Sequence, residues 1–310
     1  MVQRTLPEDA PNDRDGTPTP GGPRPAPGAD GATVPEPTRS PDAPAPEPSP
    51  GERGEPAPGG RAPRLGRALG STASAPHAVV LVLAGGTPRG SRRRAPAAQA
   101  LAYSLARRLA HGTRGETLRT HTVHYRHSGW NGVAAHPAQD ARWAADEVVR
   151  RYGDVAVCLV GMDVGARAAL RAAGHPAVSS VVALAPWFPE PDSPDADPAE
   201  ELPDPVHQLA GRQVLIVHGS DDHHTDPDLS FRLAERARRT TSAVCRFEVH
   251  TDGHSLRQHH SEVTALTRDF VLGSLCGRDF ARPVTDAFAA PPPLGLRMPL
   301  AAGFGRSLRP

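Results

Sequence analysis

The chain contains no lysine; all 35 of its basic residues are arginine. Against 34 acidic residues they leave a formal net charge of +1, so no bulk field favours nucleic acid or an anionic membrane surface. Beside an excess of Ala, Gly and Pro, the missing lysine reads first as the coding bias of a GC-rich genome. Aromatic residues are scarce, 4% beside 38% hydrophobic, so any core must be mainly aliphatic. Three cysteines, Cys158, Cys245 and Cys276, are too few, too scattered and odd in number for a disulfide framework. They fit buried thiols in a reducing compartment. The run from Met1 to Pro7 lacks the apolar centre of a signal peptide. No stretch approaches the ~18 apolar residues of a membrane helix. A soluble cytoplasmic protein is expected, with no nucleic-acid or membrane partner. No cofactor motif and no metal-ligand spacing stand out. The adjacent pair His223 and His224 is poorly placed for both rings to reach one ion, so no metal is expected. Oligomeric state is not readable.

Proline is abundant, and roughly half of the 36 prolines fall before residue 70. Residues 1–75 hold too little apolar side chain to offset an ordering entropy of ~1–2 kcal/mol per residue, and read as a disordered tail. Order is expected from His77. The apolar run 78–84 has the character of a strand buried on both faces of a parallel sheet. A helix with leucines at 101, 105 and 109 follows over 97–110. Further strands are expected at 118–126 (less apolar and alternating), 155–160, 179–185, 213–218 and 243–250. Helices are expected at 137–152, 164–173, 228–239 and 255–275. Asp226 and Pro227 supply the start signal of the fourth helix. Residues 277–310, with three consecutive prolines, read as a loose C-terminal tail. Six strands alternating with helices imply a three-layer α/β sandwich over 76–276, its six-stranded sheet mostly parallel and reduced at the N-terminal edge. In such sheets chemistry gathers in the turns at the carboxyl ends of strands, where strand order reverses.

Those turns carry the chemistry-bearing residues. Gly161-Met162-Asp163-Val164-Gly165 joins a buried strand directly to a helix. The flanking glycines suit a turn in which backbones crowd and the central residue is strained. The bland role for Asp163 is a helix N-cap. His218-Gly219-Ser220-Asp221-Asp222 follows the next-to-last strand, and its bland role is an Asx turn. His254, in Thr251-Asp252-Gly253-His254-Ser255, follows the last. His250 is its nearest competitor; His259 and His260 read as solvated surface.

Three such turns in the order nucleophile, acid, histidine resemble the α/β-hydrolase superfamily. The elbow pattern and the H-G-x-x-D turn carry the likeness. The stretches from Tyr125 to Gly132, Arg167 to Pro176 and Val182 to Trp187 are similar to small actinobacterial, dienelactone-hydrolase-like members. The resemblance covers about two thirds of the chain and omits both tails. It implies catalytic roles for Asp163, Asp222 (Asp221 if the turn is shifted) and His254. It implies an oxyanion hole from Gly85, Gly86 and the Val164 N–H, Ala84 standing where esterases often place histidine. Arg89, Arg92, Arg93 and Arg94 follow on that loop as solvated charges or as a frame for an anionic substrate.

The chain departs from the resemblance at the nucleophile, where serine is usual. An aspartate already carries its charge and acts by displacement at saturated carbon, as in the superfamily's dehalogenases and epoxide hydrolases. The resulting ester is then cleaved by water activated by histidine. Those families usually follow the aspartate with Trp, where this chain has Val164, and epoxide hydrolases use lid tyrosines. The short loop Phe188–Pro205 has none; the three tyrosines are Tyr103, Tyr125 and Tyr152. The expected function is a hydrolase of a small molecule, ester/lactone-type or epoxide/halide-type, without a sizeable lid. Asp163 as general base toward water is open as well. The alternative is an inactive pseudo-hydrolase serving as a binding or regulatory protein.

Overall fold

The computed structural model describes residues 62–70, 74–90, 95–113, 115–190, 197–200 and 203–306. The tail expected over 1–75 lies largely outside them, as do Arg92, Arg93 and Arg94. Among the described residues nine strands form one sheet. In chain order they are β1 (Arg64–Leu65), β2 (Leu69–Gly70), β3 (Ala78–Leu83), β4 (Leu118–His124), β5 (Ala156–Met162), β6 (Val178–Leu184), β7 (Gln213–Gly219), β8 (Val244–Val249) and β9 (Met298–Pro299). The helices are α1 (Pro96–Gly112), α2 (His136–Tyr152), α3 (Val164–Ala172), α4 (Pro227–Thr240), α5 (His260–Cys276) and α6 (Arg282–Ala289). The sheet order is β1-β4-β3-β5-β6-β7-β8-β9, with β2 also on β4. All neighbours from β4 to β9 run parallel. Helices α1 and α5 pack together, as do α2 and α3, which gives the three layers of the sandwich.

The core follows from composition. Every residue of β3 is buried, and the Val, Leu and Ala of β5 to β8 continue the same aliphatic slab. Each fully buried Val or Leu contributes roughly 1.5–3 kcal/mol, so a core poor in aromatics still holds the sheet. Alanine on α2 and α3 lets the helices sit close to each other and to the strands. Burial pushes the Cys158 thiol up to about 12 and raises that of Cys245 further, which keeps both unreactive. No described helix is long and apolar enough to cross a membrane.

The domain reaches past both expected boundaries. At the N-terminal side, β1 and β2 pair antiparallel with β4, so the sheet is extended there and not reduced. Two-residue strands leave no periodicity to read, yet they change β4. Its alternating sequence suggests a half-exposed edge, but Arg119, Thr120, His121 and Thr122 are all buried. His121 contacts the Gly66 carbonyl oxygen and the Tyr152 hydroxyl, and Arg119 donates through Nη2 to the Ser74 carbonyl, while its buried Nη1 makes no hydrogen bond. The C-terminal segment is not loose. Val284 and Ala287 of α6 are buried, as are Leu296 and Leu300, and β9 pairs with β8. Phe270, Phe280 and Phe288 stack where α6 meets α5. A short amphipathic helix framed by prolines was hidden by its composition. The last long helix also starts later than expected, at His260.

Strand order reverses beside β3: the chain steps outward to β4, then returns across β3 to β5. The carboxyl ends of β3 and β5 therefore face a common crevice. Gly85 and Gly86 lie after one, and Asp163 after the other.

Candidate active site

Asp163 has φ 53° and ψ −125°, a conformation that a residue with a β-carbon rarely adopts. The glycines around it are a steric requirement. A Cβ on Gly161 would lie 2.1 Å from the Gly165 carbonyl oxygen, and one on Gly165 would lie 2.3 Å from that of Ala84. The Asp163 N–H donates to the Leu184 carbonyl (3.0 Å), and its own carbonyl accepts from Ala166 (2.9 Å). The turn thus ties β5, α3 and β6 together. The side chain does not cap α3, which sets aside the bland reading of this aspartate.

Its two carboxylate oxygens have different surroundings. Oδ2 accepts from the Gly86 N–H at 3.1 Å. Gly85 crowds the same atom, since a Cβ there would lie 3.0 Å from it. Val164 opens α3 and packs beside Gly86. Oδ1 is enclosed and makes no hydrogen bond. It lies 3.4 Å from Nε2 of His254, an ion-pair separation without hydrogen-bond alignment. The loop bearing the glycines is itself fixed: Thr87 N–H donates to Ser128 O, and Trp130 N–H to Thr87 O.

Behind His254 stands Asp222. Its Oδ2 accepts from His254 Nδ1 at 2.7 Å and from His218 Nε2 at 3.0 Å. Its Oδ1 accepts from the backbone N–H groups of His224 (2.8 Å) and Thr225 (3.1 Å). Burial alone would raise this carboxyl, but hydrogen bonds from His218, His254 and Thr225 overcome it and hold the group far below the usual carboxylate range. For His254 burial is the largest influence and lowers it; the carboxylates of Asp163 and Asp222 together outweigh it and raise the imidazole to about 9. The ring lies between the two carboxylates.

The three turns expected to carry the chemistry thus place Asp163, His254 and Asp222 in one line of contacts. The competitors lie elsewhere. Asp221 is exposed and accepts from Ser220 Oγ. His250 is exposed at the end of β8. His259 is not free surface: its N–H and Nδ1 both face Asp252. Two participants escaped sequence reasoning. His218 is fully buried on Asp222, its other ring nitrogen 2.9 Å from Ser230 Oγ; its place at the head of the H-G-x-x-D turn was the available signal. His224 rests edge-on against His254, ring centroids 4.5 Å apart.

A second cluster lies one helical turn from Asp163. Arg167 is completely buried; its guanidinium bonds Glu200 (2.6 Å) and Asp204 (3.0 Å) and stacks over Trp130 and Trp187. Trp130 also donates its indole N–H to Glu200 at 2.6 Å. Glu200 and Asp204, which follow β6 in the chain, are therefore pinned to α3. Nearby, a cavity of about 930 Å³ is lined by Arg64, Arg67, Arg126, Tyr103, His124 and, among others, Gly85. Neither Asp163, Asp222 nor His254 lines it; it meets the site through Gly85.

No family model and no curated protein sequence matches this chain. Solved structures do. Est1E from Butyrivibrio proteoclasticus is 13% identical over 69% of this chain and 94% of its own, with a TM-score of 0.50. An α/β serine hydrolase without a lid from Xanthomonas campestris is 18% identical over 70% and 90%, TM-score 0.49. An esterase from Pyrococcus furiosus is 13% identical over 64% and 84%, TM-score 0.48. At such identities the likeness concerns fold alone. With the sheet order and the strained strand-to-helix turn, the architecture is that of the α/β-hydrolase fold.

Proposed function

We propose that the protein is a hydrolase that cleaves a small molecule through a covalent ester on Asp163. The observation that carries this reading is the division of labour within one carboxylate: Oδ2 is held by Gly86 N–H, and Oδ1 is left without a hydrogen bond. Oδ1 faces His254 Nε2 at 3.4 Å without an aligned hydrogen bond, which leaves it the better nucleophile of the two, and the Gly86 donor on its partner fixes its direction. Oδ1 attacks a saturated carbon and a carbon–oxygen bond forms as the carbon–halogen or epoxide carbon–oxygen bond breaks; a halide departs as an anion, whereas an epoxide oxygen stays on the bound ester and takes a proton from His254. Epoxide or halide displacement suits this arrangement better than ester or lactone cleavage. The Gly86 N–H that an ester's oxyanion would need is already taken by Asp163, and carboxylate attack on an ester yields only an anhydride.

In the second step water attacks the Cγ of the aspartyl ester. Esterification removes one of the two negative charges beside His254. The imidazole has given its proton to the epoxide-derived oxygen, or gives it to solvent after halide loss, and the neutral ring takes a proton from the attacking water, with Asp222 holding its far side. Gly86, with Gly85 and the Val164 N–H, then faces the tetrahedral intermediate's negative oxygen. Collapse returns a free carboxylate and releases an alcohol. Arg64 and Arg67 of the adjoining cavity supply positive charge toward an anionic leaving group or substrate, Arg126 there being paired with Asp140.

His254→Gln tests the division into steps. Attack should survive while ester hydrolysis slows by about 10²–10⁴-fold, the usual worth of a general base. Intact-protein mass spectrometry should then show one substrate-derived adduct, mapped to the peptide carrying Asp163. Turnover at the wild-type rate with no adduct would contradict the proposal. Wild-type protein inert toward epoxides, alkyl halides, esters and lactones alike would point instead to a scaffold kept for binding.

A further inference from the structure

The elbow aspartate does more than replace a serine; it completes a set of metal-type donors. One ligand atom from each of Asp163, His224 and His254 can be chosen so that all lie within 4.8 Å of one another. His254 spends Nδ1 on Asp222, which leaves Nε2 for the set. Asp163 spends Oδ2 on Gly86, which leaves the unbonded Oδ1. These two atoms face each other 3.4 Å apart. With zinc–nitrogen and zinc–oxygen bonds of about 2.0–2.2 Å, the edge of a tetrahedron is about 3.3–3.6 Å, so this pair already spans one edge. His224 is exposed and lies edge-on against His254, with a ring nitrogen within 4.8 Å of the other two donors, so a rotamer adjustment brings that nitrogen toward the third corner. His223, its exposed neighbour, is outside the set. The adjacency that argued against a metal in the sequence constrains only one ring of the pair.

We propose that Asp163 Oδ1, His254 Nε2 and His224 form a binding site for a divalent transition ion of the zinc type, with a fourth position open. Two imidazoles and one carboxylate are a donor set that suits zinc. The outer shell is in place as well. Asp222 grips the far nitrogen of His254 in the carboxylate–histidine arrangement that orients metal ligands, and is itself held by His218 and two backbone N–H groups. The site stands on this geometry alone. Only its consequence rests on the aspartyl chemistry above: the ion takes the nucleophilic oxygen, so metal occupancy and covalent attack exclude each other.

The test is direct binding, without substrate. Zinc chloride titrated calorimetrically into the metal-free full chain should bind one equivalent. Cobalt(II) should give the intense visible absorption of four-coordinate geometry. His224→Ala, at an exposed position, and Asp163→Asn should each weaken zinc by at least the 10–100-fold that loss of an outer-shell partner costs. His260→Ala, on a ring outside the set, should leave the affinity unchanged. No binding by the wild type, or binding indifferent to both His224→Ala and Asp163→Asn, would overturn the proposal. Because the readout is binding, it can fail while the aspartyl mechanism survives, and the reverse.

Discussion

Asp163→Asn is expected to lower turnover by about 10⁴-fold or more, the scale seen when a covalent nucleophile is removed. The substitution is nearly isosteric, and an amide oxygen can still accept from the Gly86 N–H, so the strained turn should persist. What disappears is the negative charge on Oδ1. A neutral amide oxygen does not displace a leaving group. Kinetics should therefore show kcat falling, not a rise in KM alone, while urea unfolding stays close to wild type. Serine at the same position probes the same logic from the other side. It frees the Gly86 N–H and sets a hydroxyl toward His254, so ester cleavage should appear where displacement chemistry is lost. Retention of the original activity by Asp163→Asn would remove the aspartate from the mechanism.

Arg167→Met is expected to destabilise the fold by about 3–5 kcal/mol, the usual cost of leaving buried partners of an ion pair uncompensated. Glu200 and Asp204 are both buried, and Arg167 reaches each of them. Asp204 keeps Arg171 at 2.9 Å, and Glu200 keeps the Trp130 indole, but neither replaces a guanidinium stacked between two tryptophans. Arg167→Lys keeps the charge and loses the planar fork, so its loss should be smaller. The urea midpoint of the full chain reports both, with a drop of about 1–2 M expected for methionine. A change under about 0.5 kcal/mol for Arg167→Met would show that the cluster does not hold the loop. Arg167 lies one turn beyond Asp163, so the same contacts that stabilise the domain also keep the elbow's helix in register with the loop beside it.

The parts of this molecule that were legible in the sequence are those governed by local rules. Gly161 and Gly165 announce the turn because no other residue fits between those backbones. The buried strands announce themselves as unbroken aliphatic runs. Asp222 and His254 are found by their places after β7 and β8. What was illegible depends on distant partners. Nothing near Asp163 indicates that Gly86 holds one of its oxygens, since the two are 77 residues apart. Arg167 is an ordinary helical arginine until Glu200 and Asp204 arrive. The paired strands β1 and β2 are too short to carry a pattern, and the late helix α6 hides among prolines. Of the adjacent histidines, only the backbone path after Asp222 decides that His224 turns toward His254.

The central claim is that Oδ1 of Asp163 bonds to the substrate and is renewed from water. One measurement addresses it most directly: repeated turnover in heavy-oxygen water, followed by mass analysis of the peptide containing Asp163. Attack of water on Cγ predicts heavy oxygen in the Asp163 carboxylate, and a product whose first-turnover oxygen comes from the enzyme. An active enzyme whose Asp163 stays unlabelled, with heavy oxygen entering the product from the first turnover, would contradict the account.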